Sequence, residues 1–488
     1  MCLLRMLPWR LWHPWEAIAT MRRPESASVV AFSSVIPWQP SGLIPLALAL
    51  PVAALASSGG ALLAQQGDPE VRVLLASAAE ISLRSLGRPL VLRAEGGDSP
   101  VLLELPPSAS LQLRLAGGRV WLSSSAGERV LPPAASYWLE SKPGQPPAET
   151  GTFQLQQRHY RGRLQVRSEG AKLQAINHIG LEAYLPSVVG SEMPPRWPLA
   201  ALQAQAVAAR TYALRQRKPA KAFDLTATVS SQVYKGVEAE TASTREAVAS
   251  TRGQVLMYRS SLANTVFHSS SGGRTENSGD LWSQQLPYLV SVPDFDQRSP
   301  VHQWEKPLPP ELLRQAFREI GGVQRIDVVA TTATGRVRQA RVIGPVGTLV
   351  VTGPELRTRL GLRSTQVRFE VLEPRPFRPG PEASRLQQQK AMAFGAISPP
   401  PPVMGVIDSA SGTPAQAGPG AAAPSGPAPR QPSPPSSLPS LVAIGRGFGH
   451  GVGMSQWGAL AMAEQGQSHE RILSHYFRGT ELRRYSAP

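Results

Sequence analysis

The chain has 488 residues, 42% of them hydrophobic, and its 50 lysines and arginines outnumber 34 acids to give a formal charge of +16. That length admits more than one domain and a sizeable buried core. Charge alone does not choose among nucleic acid, an anionic envelope polymer and a membrane surface, but the basic residues are mostly arginines scattered singly, unlike the dense run of a nucleic-acid arm.

Residues 1–56 read as a targeting segment. Arg22 and Arg23 precede an apolar run from Leu43 to Ala56, interrupted by Pro45 and Pro51 and ending in Ala54-Leu55-Ala56. The run is too short and too broken to span a bilayer comfortably, and its small-x-small end resembles a signal-peptidase site. The expectation is export to the periplasm or cell envelope, with membrane contact only through this segment if it stays uncleaved. Met21 is an alternative translation start. The single cysteine, Cys2, lies inside the segment, so a mature exported chain has no disulfide and no thiolate for zinc.

After a linker (57–69), residues 70–163 show strand-like alternation at Val71, Val73 and Leu75 and at Leu111, Leu113 and Leu115, with a turn at Gly117-Gly118. They form either a small β-rich module or the outer strands of a larger domain. A hairpin around Gly162 then leads into a helix from Leu181 to Glu192, placing the helix at a sheet edge. Leu181, Leu185, Val188 and Glu192 share one helical stripe, so an acid takes a position where an apolar residue belongs. Burial disfavours the carboxylate and raises its pKa, as a general acid requires. The same spacing admits a buried glutamate paired with an arginine, or one that simply ends the helix.

Met193, Pro194 and Pro195 stop that helix, and Pro198 opens an alanine-rich helix from Leu199 to about Lys218. Gln203 and Arg210 fall on one side of it, and Arg210 borders the core. Phe267 to Gly273 reads as a strand ending in hydroxyls, where His268, Ser269, Ser270 and Ser271 precede a Gly-Gly turn and Arg274 and Glu276 follow. Adjacency is not the geometry of a triad, and the serines suit hydrogen bonds to sugar hydroxyls or capping. A helix at 311–320 and strands at 326–330, 337–343 and 348–351 come next, then a helix near 355–360 and a strand at 366–372. From about 374 to 440 the chain is dominated by Pro, Ala, Ser and Gly, too poor in apolar surface to fold. Strand-like residues resume at Leu441. In the segment 445–453 glycine alternates strictly, so an extended backbone there leaves one bare face, with Arg446, Phe448, His450 and Val452 on the other. The bare face admits a sugar ring or another chain segment; a tightly packed turn before the helix near Met454, Ser455 and Gln456 is the competing reading.

Three blocks carry a family resemblance: LEAYLPSVVGSEMPPRWPLAALQAQAVAARTYAL, FHSSSGGRTENSGDLW and GRGFGHGVGMSQWGALAMAEQG. Together they resemble the stage II sporulation protein D (SpoIID) family, which also contains the amidase enhancer LytB, over roughly residues 164 to 485. The resemblance implies an α+β domain, in parts at 164–373 and 441–485, whose mixed sheet and packed helices form a glycan cleft; it puts the strands on either side of the Pro-rich tract next to each other in that domain, so the tract at 374–440 is expected to be a disordered insertion and not a domain boundary. It implies a lytic transglycosylase acting on peptidoglycan, with Glu192 as catalytic acid. Gln203, Arg210, His268, Ser269, Ser270, Ser271, Arg274, Glu276, Arg446, His450, Ser455 and Gln456 are then candidate substrate-binding residues. Some members bind a metal through cysteine and histidine, but those cysteines are missing here, so no metal or cofactor is expected. Expected partners are peptidoglycan glycan strands and a murein amidase or other cell-wall protein, with no nucleic acid. The rivals are a non-catalytic amidase enhancer, a hydrolase pairing Glu192 with Glu276 or Asp280, and a structural wall protein.

Overall fold

The computed structural model describes residues 68–95, 99–142, 153–372 and 439–486. The targeting segment, nearly all of the linker and all but the last residues of the Pro-rich tract lie outside the described residues. No helix among the described residues is long and apolar enough to cross a membrane. Strands and helices divide between two compact units, the first reaching Thr265 and regaining residues 466–472 and 480–488, the second comprising 266–465 and 473–479.

In the first unit a seven-stranded sheet runs in the order 225–226, 70–78, 172–180, 163–169, 137–141, 90–94, 101–105. The strand Glu70–Ala78 pairs antiparallel with Lys172–Gly180 and parallel with 225–226, and the strands 137–141, 90–94 and 101–105 extend the same sheet on its other side, so part of the N-terminal region belongs to the sheet that feeds the helices. A six-stranded antiparallel sheet holds the remaining N-terminal strands, its pairs including Ile81 with Leu113 and Leu113 with Leu122. Lys172–Gly180 lies between Glu70–Ala78 and Arg163–Glu169. It is therefore an interior strand, not the expected edge, and its residues from Ala175 to Ile179 are all buried because both faces and both flanks are covered.

The strand passes directly into helix α1, Leu181–Glu192. Its first turn is fixed from outside: the Asp68 carboxylate accepts the Glu182 N–H at 3.0 Å and the Pro69 carbonyl accepts the Leu181 N–H at 2.8 Å. Pro186 sits inside α1 without ending it. Helix α2, Leu199–Gln216, and helix α3, Ala242–Ser250, pack against α1 through small residues. Gly190 shows how tightly: a Cβ there would lie 1.9 Å from the Ala239 carbonyl oxygen.

The second unit contains two antiparallel three-stranded sheets, 303–308 with 440–446 and 367–372, and 325–331 with 337–344 and 347–352. The strands on either side of the Pro-rich tract are direct neighbours, Phe369 opposite Ala443. Trp304, Leu308, Phe317, Val342, Leu356 and Ala443 form part of the core between these sheets and the short helices 310–316 and 353–360. The single helix expected at 311–320 breaks at Phe317, which leaves helical geometry (φ −136°, ψ 53°) while its ring is fully buried.

The Gly190 contact makes a prediction. Gly190→Ala forces apart α1 and the segment at Ala239, and should lower unfolding stability by about 1–3 kcal/mol in chemical denaturation, the usual cost of overpacking a close-packed core.

Candidate functional site

Glu192 is the last residue of α1, and Met193 turns to extended backbone immediately after it. Leu181, Leu185 and Val188 on the same stripe are buried, whereas Glu192 is half-buried where the stripe reaches the surface. Its Oε1 accepts the backbone N–H of Val233 at 2.9 Å. Tyr184, two turns earlier, is fully buried, and its hydroxyl donates to Gln232 Oε1 at 3.2 Å. Burial, and then the nearby Glu192 charge, push the Tyr184 phenol well above its usual pKa, so it stays protonated.

Gln203 is half-buried and donates to Ser250 Oγ at 2.9 Å, tying α2 to the end of α3. Arg210 is fully buried and makes a bidentate pair with Glu182, Nε to Oε1 at 2.7 Å and Nη2 to Oε2 at 2.8 Å. Its remaining donors reach Thr251 Oγ1, the Gln254 carbonyl and the Val248 carbonyl. Arg210 thus engages the acid at the start of α1, and its guanidinium serves the packing of the three helices.

The other candidates lie in the second unit. The residues 267–268 and 454–455 pair as short parallel strands, so two of the three sequence blocks are joined by backbone hydrogen bonds. Ser270 donates to Asp296, and Ser271 donates to Asp294 Oδ2 at 2.5 Å. Asp296 also accepts the Gly272 N–H and contacts His302 Nδ1, while Asp294 accepts from Tyr476 at 2.7 Å. Burial, and then the Asp296 charge, raise the Asp294 carboxyl pKa. Ser270 and Ser271 are fully buried and hold the loop to these acids; Ser269 is half-buried, and its carbonyl accepts the Trp457 N–H.

Glu276 is fully buried, and both of its oxygens are used. Oε1 accepts the Asn277 N–H, and Oε2 accepts from Thr332 at 2.6 Å and from Thr334, with Arg336 Nε 3.9 Å away. Asp280 pairs with Arg338 at 2.8 Å and accepts from Asn277 Nδ2. Arg274 is exposed and donates to Ser291, and Arg446 is exposed. Ser455 is fully buried and caps the helix Gln456–Glu464 by accepting the Gly458 N–H at 3.2 Å, and Gln456 is buried in its first turn.

The alternating glycines do not form the extended strand that the pattern suggests. Gly447, Gly449, Gly451 and Gly453 all have positive φ, so the segment winds, and its bare side is filled by the protein's own chain. At Gly451 a Cβ would lie 2.3 Å from Arg336 Nη2. That buried arginine donates to the Ser271 carbonyl at 2.8 Å, and burial lowers its pKa to about 10.

His268 and His450 meet here, their rings 5.4 Å apart, with the Trp282 ring 5.8 Å from His450. His268 Nδ1 lies 3.1 Å from the Val452 carbonyl oxygen, and His450 Nδ1 accepts the Val452 N–H at 3.1 Å. Burial depresses both imidazoles, His268 well below its usual value and His450 to about 4, with Arg357 and Arg336 reinforcing the effect on His450. Both rings are neutral at pH 7, which suits positioning and not proton donation. Among the described residues no group of three or more His, Cys, Asp or Glu is placed to hold a metal.

Sequence reasoning missed Gln232, Val233 and Tyr234 around Glu192, and Asp294, Asp296 and Arg336 beneath the serine loop. Alternation in Ser-Gln-Val-Tyr and the two acids flanking Phe295 were the available signals. Both are common in ordinary loops.

Two outcomes are expected. Arg210→Ala leaves Glu182 uncompensated and should cost about 3–5 kcal/mol of stability, measured by denaturant unfolding, as for other broken buried pairs. Because the folded His450 titrates near 4 against an ordinary value of 6.5, its contribution to stability is present above pH 6.5 and is lost as pH falls through about 4. Thermal melts of wild type and His450→Gln should converge by at most about 3 kcal/mol over that interval.

Residues 169–258 match the model of the SpoIID family, described as Stage II sporulation protein. The chain is 28% identical over 333 residues to Stage II sporulation protein D of Bacillus subtilis (strain 168), covering 63% of this chain and 76% of that protein. It is 29% identical over 332 residues to the Bacillus amyloliquefaciens protein of the same name, covering 63% and 75%. It is also 28% identical over 324 residues to the amidase enhancer of Bacillus subtilis (strain 168), covering 62% of this chain and 40% of that one. The resemblance read from the three sequence blocks is thereby borne out, with the SpoIID family-model match lying at residues 169–258 of this chain.

Proposed function

We propose that the protein is an exported peptidoglycan-remodelling enzyme, a lytic transglycosylase that cleaves murein glycan strands with Glu192 as its single acid and base. The observation that carries this reading is the placement of Glu192: a half-buried carboxyl at a helix end, with one oxygen held by the Val233 N–H. Held in this way, the carboxyl protonates the glycosidic oxygen leaving C1 of N-acetylmuramic acid as the C1–O bond breaks. The resulting carboxylate takes the proton of the sugar's own C6 hydroxyl as O6 bonds to C1. Proton and oxygen balance without water, and the product ends in a 1,6-anhydro ring.

A two-carboxylate hydrolase needs a second acid free to act as nucleophile or base. Glu276 is buried and occupied by Thr332, Thr334 and the Asn277 N–H, and Asp280 is tied to Arg338 and Asn277. These engagements favour the single-acid mechanism. Similarity to an amidase enhancer supports a second reading, in which the chain binds murein or a murein amidase and stimulates cleavage by that partner.

Mass spectrometry of glycan strands, with and without stem peptides, separates the readings. Wild type should release anhydro-ended fragments, and Glu192→Gln should release none while remaining folded and bound to glycan. Reducing ends would indicate a hydrolase, and binding without cleavage by wild type would indicate an enhancer.

A further inference from the structure

An exposed tryptophan and an arginine without an acid meet at the glycine-rich segment of the second unit. Trp282 is 38% exposed, and its ring lies 5.8 Å from that of His450, itself half-buried. His450 is a fixed wall: its Nδ1 accepts the Val452 N–H, a second hydrogen bond joins the ring to the Phe267 backbone, and the ring is uncharged at pH 7. Arg357 comes to the same place from the helix Gly353–Leu360. Its Nε donates to the Leu362 carbonyl at 3.3 Å, and the next carbonyl, that of Arg363, accepts the N–H of Gly449, the neighbour of His450, at 3.1 Å. After burial, the Arg357 charge is the largest influence holding His450 neutral.

Among the described residues no carboxylate lies within salt-bridge distance of Arg357, and Glu355, two positions earlier on the helix, is taken by Arg359 at 2.9 Å. The Leu362 carbonyl is the only acceptor on the half-buried guanidinium, so both Nη groups are unpaired, and neither is sealed from solvent. Desolvating a cation is costly unless an anion offsets it, and the planar fork of a guanidinium matches a carboxylate through two parallel N–H···O bonds. The exposed indole nearby offers a flat apolar surface against which the C–H face of a pyranose packs.

We propose that Trp282 and Arg357 form a subsite for a carboxylated sugar, the indole against the pyranose ring and the guanidinium on the carboxylate, and that in murein this sugar is N-acetylmuramic acid held through its lactyl carboxylate. The proposal rests on the reading of murein as the substrate; a uronic-acid polymer offers the same chemistry and is separated by the test. Such a subsite distinguishes murein from a glycan of N-acetylglucosamine alone, which presents the ring without the charge. Both residues bind and take no part in the proton transfer.

Isothermal titration calorimetry on the full chain carrying Glu192→Gln, so that bound glycan stays intact, tests the subsite with four tetrasaccharides. These are the peptide-free murein tetrasaccharide, the same molecule with its lactyl carboxyls reduced to alcohols, chitotetraose and a glucuronic-acid tetrasaccharide. Carboxyl reduction should weaken binding about tenfold or more, as loss of a charge-assisted pair does, and chitotetraose should bind no better than the reduced ligand. Arg357→Gln should weaken the murein tetrasaccharide by the same factor and leave the reduced one nearly unchanged, whereas Trp282→Ala should weaken every ligand. Equal affinity for the murein tetrasaccharide and its reduced form overturns the proposal, and that comparison needs no Arg357 variant to fold. A loss in Arg357→Gln that is the same for both ligands also overturns it, since a merely structural arginine gives that result. Glucuronic-acid binding as tight as murein binding, with the same Arg357 dependence, overturns the muramic assignment in favour of a uronic polymer. Wild type that cleaves no glycan while the Arg357 dependence is present would overturn the enzymatic reading and leave the subsite intact.

Discussion

The guanidinium of Arg210 lies fully buried among α1, α2, α3 and the strand that follows them. It grips both oxygens of Glu182 in the first turn of α1, the Val248 carbonyl and Thr251 at the end of α3, and the Gln254 carbonyl at the start of the strand. A buried cation is costly unless its charge and its donors are matched, so these elements are fixed around it. The Asp68 carboxylate binds the N–H of the same Glu182. With its first turn fixed, α1 acts as a rigid rod about 18 Å long, twelve residues rising about 1.5 Å each. Glu192 is carried at the far end of that rod. A group on a packed helix is held more closely than one on a loop.

The carboxylates differ in what surrounds them. Glu276 and Asp296 are fully buried, Asp294 nearly so, and each is bound by hydroxyls or backbone N–H groups that hold loops together. Glu192 stands half-buried at a helix end with a backbone donor on one oxygen. Residue type alone does not separate these cases.

The glycine-rich segment follows the same logic. Its glycines are required because neighbouring chain, including the Arg336 guanidinium, occupies the space where side chains would stand. The segment is a tightly wound support for His268 and His450, both held neutral by burial. The bare face that alternation suggests for a sugar ring is taken up by the protein's own packing.

The sequence by itself determined a good deal. Helical spacing and flanking prolines set α1 and α2, alternation set most strands, and the strands around the Pro-rich tract were legible as strands from their apolar patterns, though as partners only through the family resemblance. Glu192 stood out as an acid in an apolar stripe. Tertiary structure decided the rest. Which residue Arg210 pairs with, whether Glu276 is free or occupied, and which N–H meets Glu192 all depend on contacts between residues tens to hundreds of positions apart. Local periodicity records which face of an element is buried. It does not record what the buried polar group meets there, because that partner arrives on another element whose position is set only when the whole chain packs.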